Sequence, residues 1–361
     1  MAYTDIDKPS DHFNTVTYTG TGAPQSITGV NFQPDWIWFK RITGGNAHGC
    51  FFDVNRGVTK LLSPSQTDGD QTITNELTSF DSDGFTLSTG GSGYTNQNSG
   101  KTYVAWNWKA GGSPSSNSDG DITSSVSVNT DIGFSIVTYT GSGSSGDTVG
   151  HGLGVAPKIT IIKQRNSSNG WNFWAYANNS GDPDSFNELN GTTSWYQNQG
   201  ANGPFTATPD SSVLTLTNYG QVNGSSNTYV AYCFAEKKGF SRSGFVESLG
   251  DDDGSFFYCG FKPAWVMLHA DVTDTWNNWY IFDNKRNVFN ITNSALYANI
   301  PNTENGYGGS NYAQIDMYSS GFKIRRDGNW GLGATGTKIF FMAFAEQPIV
   351  GGTSFIPAPA K

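Results

Sequence analysis

The chain is poor in charge, in histidine and in cysteine, and each shortage removes a class of function. Lysine and arginine number 21 against 30 aspartates and glutamates, so the formal net charge is −9 and only 14% of residues are charged. A protein that neutralises phosphates carries a basic stripe. The densest basic spots here are Lys237-Lys238 and Arg325-Arg326, so nucleic acid is not expected as a partner. His12, His48, His151 and His269 lie in separate segments without ligand spacing, which argues against zinc. The cysteines, Cys50, Cys233 and Cys259, are odd in number and widely spaced, so no disulfide framework is expected. Cys233 sits in an apolar stretch and reads as a small buried residue. No segment reaches the apolar length of a membrane span. The start, Met1-Ala2-Tyr3-Thr4-Asp5-Ile6-Asp7, lacks a charged region and an apolar run. The expectation is a soluble protein made in the cytosol, with no membrane partner. Sequons such as Asn190-Gly191-Thr192 and Asn290-Ile291-Thr292 are then only Asn-rich loops.

Aromatic residues and glycine are abundant instead. Hydrophobic residues are 36%, yet aromatics are 14%, and glycine is 45 of 361 residues. Low charge with many aromatics argues against disorder. Gly-rich turns between aromatic strands read as an all-β fold.

One device recurs three times: an apolar residue, a spacer, a proline, then a strand. It is Phe32-Gln33-Pro34-Asp35-Trp36-Ile37-Trp38-Phe39, then Val155-Ala156-Pro157-Lys158-Ile159-Thr160-Ile161-Ile162, then Phe261-Lys262-Pro263-Ala264-Trp265-Val266-Met267-Leu268. Proline fixes φ and lacks a donor, so it suits the first residue of a strand and not its middle. The three prolines are spaced 123 and 106 residues apart, too long for a solenoid repeat and suited to sandwich domains of about 100 residues. Val16-Thr17-Tyr18-Thr19-Gly20 returns verbatim as Val137-Thr138-Tyr139-Thr140-Gly141. Each repeat also closes alike, with Tyr103–Trp108, Tyr229–Phe234 and Ile339–Phe344.

Read with period two, one face of these closing strands is large: Val104, Trp106 and Trp108; Val230, Tyr232 and Phe234; Phe340, Met342 and Phe344. The other face is mostly smaller: Ala105 and Asn107; Ala231 and Cys233; Phe341 and Ala343. The large face is expected to fill the core between the sheets of each unit, and the small face to receive another sheet or a neighbouring subunit. Middle strands are expected at Gly84–Leu87, Ser212–Leu216 and Gly321–Ile324. No window has a helical period, and the most helix-like piece, Ser294–Ala298, is short.

The expected fold is therefore all-β, with three tandem antiparallel β-sandwich units of the jelly-roll or lectin-like kind. The divisions are an arm at 1–13, a unit at 14–110, a Gly/Ser/Asp-rich linker at 111–131, a unit at 132–238, a unit at 239–349 and an extended tail at 350–361.

The motifs that carry chemistry elsewhere read as structure here. Gly141-Ser142-Gly143-Ser144-Ser145-Gly146 matches a dinucleotide fingerprint, but that needs a helix next. Asp147-Thr148-Val149-Gly150 follows, so a hairpin loop is expected. Glycoside hydrolysis needs two carboxylates at fixed separation. The glutamates, Glu76, Glu188, Glu236, Glu247, Glu304 and Glu346, are scattered, and Glu236 and Glu346 read as strand ends. Asp251-Asp252-Asp253-Gly254 has the clustered oxygens that calcium wants but not the rest of a calcium loop, so an exposed turn is expected. No catalytic residue, cofactor or metal is assigned.

Asp53-Val54-Asn55-Arg56-Gly57 parallels Asp283-Asn284-Lys285-Arg286-Asn287. One reading is an Asp-capped turn with an internal Asp–Arg pair. The other is a carbohydrate site built from Trp171, Trp174, Tyr176, Trp276, Trp279, Asp283 and Arg286, with rings for stacking and polar groups for specificity. In the tail, Phe355, Ile356 and Pro357 are the assembly candidates. Polar or Pro-rich ends fray unless tied down, so at least one of the two ends is expected to dock on another subunit.

Taken as a set, Gly133–Gly141, Gly150–Pro157, Val104–Lys109, Ala231–Gly239 and Phe282–Asn287 resemble a family of marine-bacteriophage virion proteins. That family has tandem domains of unknown function likened to concanavalin-type lectin sandwiches. The resemblance implies a non-enzymatic particle protein of the tail or fibre apparatus, acting in adhesion to a host-surface glycan. It also implies a homo-oligomer located in the virion among other virion proteins. A capsid-attached decoration or head-fibre protein is the first alternative, and a tailspike-like glycan hydrolase the second.

Overall fold

The computed structural model describes residues 4, 6–97, 100–176, 182–251, 253–274, 277–304, 313–326, 332 and 335–349. The fold is all-β, with seven antiparallel sheets among the described residues. Helix among them is confined to Gly220–Asn223 and to short 3-10 turns at Pro9–Asp11 and Gly200–Asn202. None is long and apolar enough to cross a membrane. The helix-like Ser294–Ala298 instead holds the strand Leu296–Tyr297.

Three of the sheets share one strand order: opening, closing, proline, aromatic. In the first these are Phe13–Thr19, Thr102–Trp108, Trp36–Arg41 and Cys50–Asp53. In the second they are Phe134–Thr140, Thr228–Phe234, Ile159–Gln164 and Trp171–Ala175. In the third they are Ser241–Glu247, Lys338–Pro348, Phe261–Ala270 and Tyr280–Asp283. The registers correspond. Trp36 lies opposite Trp108 and Asp53. Ile159 lies opposite Phe234 and Ala175, and Trp265 lies opposite Phe344 and Asp283.

Each large sheet shares an apolar core with a three-stranded one. The middle strands of these are Gly84–Leu87, Val213–Leu216 and Gly321–Arg326. Gly84 holds φ at +143°, and a Cβ there would fall 2.0 Å from the Ile27 carbonyl oxygen, so only glycine fits.

The two faces of the closing strands are the reverse of the expectation. Ala105, Ala231, Cys233, Phe341 and Ala343 enter the three separate cores between large and small sheets. The large residues, from Val104 and Trp106 through Tyr232 to Met342 and Phe344, all enter a fourth core shared by the three large sheets. Trp36 stacks on Tyr232 at 4.6 Å, Trp108 meets Phe344 at 5.6 Å, and Phe234 meets Phe344 at 5.9 Å. Alternation of size identifies two faces but not what each will meet. Because both faces are covered, the proline and aromatic strands are buried at every position. Gly244 lies opposite Phe341, where the other repeats set a valine against an alanine. The small residue makes room for the large one.

Other expectations shift locally. Pro34 and Pro157 precede their strands, but Pro263 lies inside Phe261–Ala270, where register shifts on both sides accommodate the missing donor. The linker range contains the strands Ser115–Asn117 and Ser124–Asn129, paired onto the second large sheet. Ser and Asn there build strands through the ladder, helped by Ser124 Oγ donating to the Gly150 carbonyl at 2.8 Å and Val126 entering the core. Residues 141–147 join a large sheet to a small one and are not a hairpin. The described part of the arm docks on its own chain: Ile6 enters the shared core, and Thr4 Oγ1 donates to the Lys238 carbonyl at 2.8 Å. Residues 350–361, with Phe355, Ile356 and Pro357, lie outside the described residues.

Candidate functional site

The Asp–Arg turns carry extended polar networks, and they seal two of the seams between large sheets. Asp53 ends its aromatic strand and caps the next turn, accepting from the Arg56 backbone N–H at 2.9 Å and from Arg56 Nε at 2.6 Å. Both side chains are fully buried. Asp53 also accepts from the Tyr232 hydroxyl of the second large sheet at 2.7 Å. Arg56 reaches Asp70 at 3.0 Å, and Asp70 takes Arg165 of the second repeat at 2.9 Å. Burial opposes the charge on Arg56, but Asp53, Tyr232 and Asp70 more than offset it, and its proton affinity ends up raised.

The third repeat makes the same construction against the first. Asp283 accepts from Arg286 Nε at 2.6 Å and from Trp106 Nε1 at 3.0 Å. Arg286 also pairs with Glu304 at 2.7 Å. By register, Trp106 and Tyr232 are equivalent. At the remaining seam the equivalent residues are Ala175 and Met342, both in the shared core. Carboxylate and donor are thus absent together, and neither is left buried alone.

A second set of equivalent residues crosses the same seams. Lys40, Lys163 and His269 each stand four positions beyond Trp36, Ile159 and Trp265, and all are buried. Lys40 Nζ donates to Ile300 O at 2.7 Å, Lys163 Nζ donates to Thr67 O at 2.8 Å, and His269 Nε2 meets Thr193 O at 3.0 Å. Each acceptor belongs to a neighbouring repeat. Burial lowers their proton affinities, to about 7 for Lys40, about 8 for Lys163 and about 4 for His269.

Three of the four tryptophans proposed for stacking on sugar are core residues. Trp171, Trp174 and Trp279 have no exposed surface. Trp171 Nε1 donates to Ser63 O at 2.9 Å and Trp279 Nε1 to Glu188 O at 3.1 Å, again across seams. Tyr176 is 39% exposed, with Lys158 Nζ 3.3 Å from its ring centroid. Trp276 lies outside the described residues. Asp283 and Arg286 are buried in the network above, so among the described candidates only Tyr176 reaches the surface. Of the carboxylates expected at strand ends, Glu236 lies two residues past Phe234 and accepts from Ser243 N–H at 2.7 Å, whereas Glu346 lies inside Lys338–Pro348 and pairs with Lys262 at 3.0 Å. Asp253 pairs with Lys323 and Arg325. Among the described residues no three His, Cys, Asp or Glu side chains gather as metal ligands.

One surface feature went unread in the sequence. Phe256 and Tyr258, 45% and 50% exposed, project from the third small sheet, and Val288, Phe289 and Ile291 are exposed in the same repeat. The register places Ser26 and Thr28, then Thr148 and Gly150, where the third repeat has Phe256 and Tyr258. Alignment of the three repeats on Gly84 and Gly321 is the signal that finds this difference.

A search of curated proteins finds no match to the chain. A family described as a domain of unknown function, DUF7483, matches residues 8–348 in one span. That span takes in all three repeats, and the chain belongs to the DUF7483 family.

Proposed function

We propose that the chain is a non-enzymatic structural protein of a bacteriophage particle, of the tail or fibre apparatus, that adheres to a host-surface glycan. Its three repeats are tandem antiparallel β-sandwich units closed into a ring about the shared core. The observation that carries this reading is the set of exposed large apolar side chains on the third repeat, Phe256, Tyr258, Val288, Phe289 and Ile291. Phe289 is 78% exposed and Val288 60%, and the equivalents of Phe256 and Tyr258 in the sister repeats are polar or glycine, so the fold itself does not require them to be apolar. Exposed large apolar side chains of this kind are the raw material of a contact surface. Those side chains fix the protein to another virion protein and leave the first two repeats outward.

The test is whole-particle density with immunogold labelling, using particles built with the wild-type chain or with Tyr258→Asp/Phe289→Asp. The reading expects label on the tail or fibres, lost in the variant, whose own stability stays within about 0.5 kcal/mol of wild type because the sites are exposed. Label on the capsid would replace it with the decoration reading, and no label on particles would overturn both.

A further inference from the structure

The seams that carry an Asp–Arg pair are open at one end, and the seam that lacks it is filled. Beside Arg286, a groove of about 350 Å³ is lined by Thr17, Thr19, Ile42, Thr102, Lys285 and Glu304. A groove of about 370 Å³ lies at the equivalent place on the second repeat, lined by Thr123, Ser125, Thr138, Thr140, Arg165 and Thr228. The strand positions correspond, Thr17 lying opposite Val104 and Thr138 opposite Val230, while the remaining walls differ: Lys285, Arg286 and Glu304 in the first groove, Ser116 and residues 123–125 in the second. In the third repeat that position is Phe245, opposite Phe340. There Trp195 of the second repeat lies 5.3 Å from Phe245 and is only 4% exposed. Its backbone N–H donates to Asp271 Oδ1 at 2.9 Å, and Asp271 stands where the open grooves have Ile42 and Arg165. The chain plugs one of three equivalent places with its own indole and leaves two open.

We propose that the two open grooves are a pair of equivalent binding sites for a saccharide ring. Both volumes fall within the range of small-ligand pockets. Each lining carries a row of threonine side chains, Thr17, Thr19 and Thr102 in the first and Thr138, Thr140 and Thr228 in the second, whose hydroxyls donate and accept as sugar hydroxyls do. In the first groove Glu304 is already paired with Arg286, and in the second Arg165 is paired with Asp70, so neither groove is built around an unpaired buried charge. The proposal deepens the adhesion reading and rests on its glycan half, not on membership of a particle.

The test is titration of the full chain with glucose, galactose, mannose and N-acetylglucosamine, read by calorimetry and saturation-transfer NMR. At least one sugar should bind with a stoichiometry of two. Thr17→Phe and Thr138→Phe, which install the residue of the plugged seam, should each reduce it to one, and the double variant to none. If either phenylalanine variant unfolds, Thr102→Val and Thr228→Val take its place, each weakening one site about tenfold through one lost hydrogen bond. Absence of saturable binding to about 50 mM, beyond millimolar affinity, would overturn the proposal and the glycan half together. Binding that survives the double variant would overturn the grooves alone. Particle labelling remains a separate question in either case.

Discussion

Replacing Asp53 by alanine should be far more damaging than the size of the side chain suggests. The carboxylate and the Arg56 guanidinium are 2.6 Å apart with no exposed side-chain surface. Removing the carboxylate leaves a buried cation short of its partner, a change that costs about 3–5 kcal/mol. The Tyr232 hydroxyl loses its 2.7 Å acceptor as well, which adds about 1 kcal/mol. The chain itself shows the remedy, because the remaining seam has Ala175 and Met342, neither carboxylate nor donor, at the equivalent positions. Asp53→Ala combined with Arg56→Met and Tyr232→Phe should therefore recover most of the loss and lie within about 2 kcal/mol of wild type, since a buried pair replaced as a unit is often near neutral. Urea unfolding of the full chain reads both variants as midpoint shifts at constant slope. A single variant that costs less than about 1 kcal/mol, or a triple variant no better than the single, would refute the reasoning about the seam.

Stability should depend on pH through the buried basic residues. Lys40 and Lys163 bind protons less readily folded than unfolded, so the unfolded chain holds more protons between about 7 and 10.5 for Lys40 and between about 8 and 10.5 for Lys163. Stability therefore rises with pH across those windows, and His269 adds a rise between about 4 and 6.5. Lys40→Met should flatten the alkaline rise; an unchanged slope from pH 7 to 9.5 would contradict this. All three cysteines are buried, and burial raises their thiols, so a thiol reagent should label none in the native chain and all three in denaturant. Gly84→Ala should cost about 1–3 kcal/mol from backbone strain alone, visible as a lowered unfolding midpoint, with a larger total because its Cβ would strike Ile27 O.

The repeats were legible because Val-Thr-Tyr-Thr-Gly and the three prolines recur as strings, and strings fix strand order wherever the hydrogen-bonding partners recur too. The Asp–Arg pair was legible as a local turn, since Asp53 and Arg56 are three residues apart. Its third member was not. Tyr232 and Trp106 lie 179 and 177 residues from their acceptors, and nothing local marks a tyrosine as the donor to a distant carboxylate. The tryptophans misled for a related reason: Trp171 and Trp279 lie beside Asn- and Gly-rich loops, yet those loops belong to seams and close over them. The linker misled because strand propensity was sought in side chains, whereas Ser115–Asn117 is held by its ladder to Ser124–Asn129.

Native-state hydrogen exchange on the closing strands Thr102–Trp108, Thr228–Phe234 and Lys338–Pro348 tests the shared core most directly. Each strand buries its large side chains against the other two sheets, so no repeat can open without exposing the others. The account predicts that amides of all three strands exchange through one opening, with one free energy and one dependence on urea. Three separate openings, each with its own free energy and about a third of the full denaturant slope, would show that the repeats are independent domains and would contradict it.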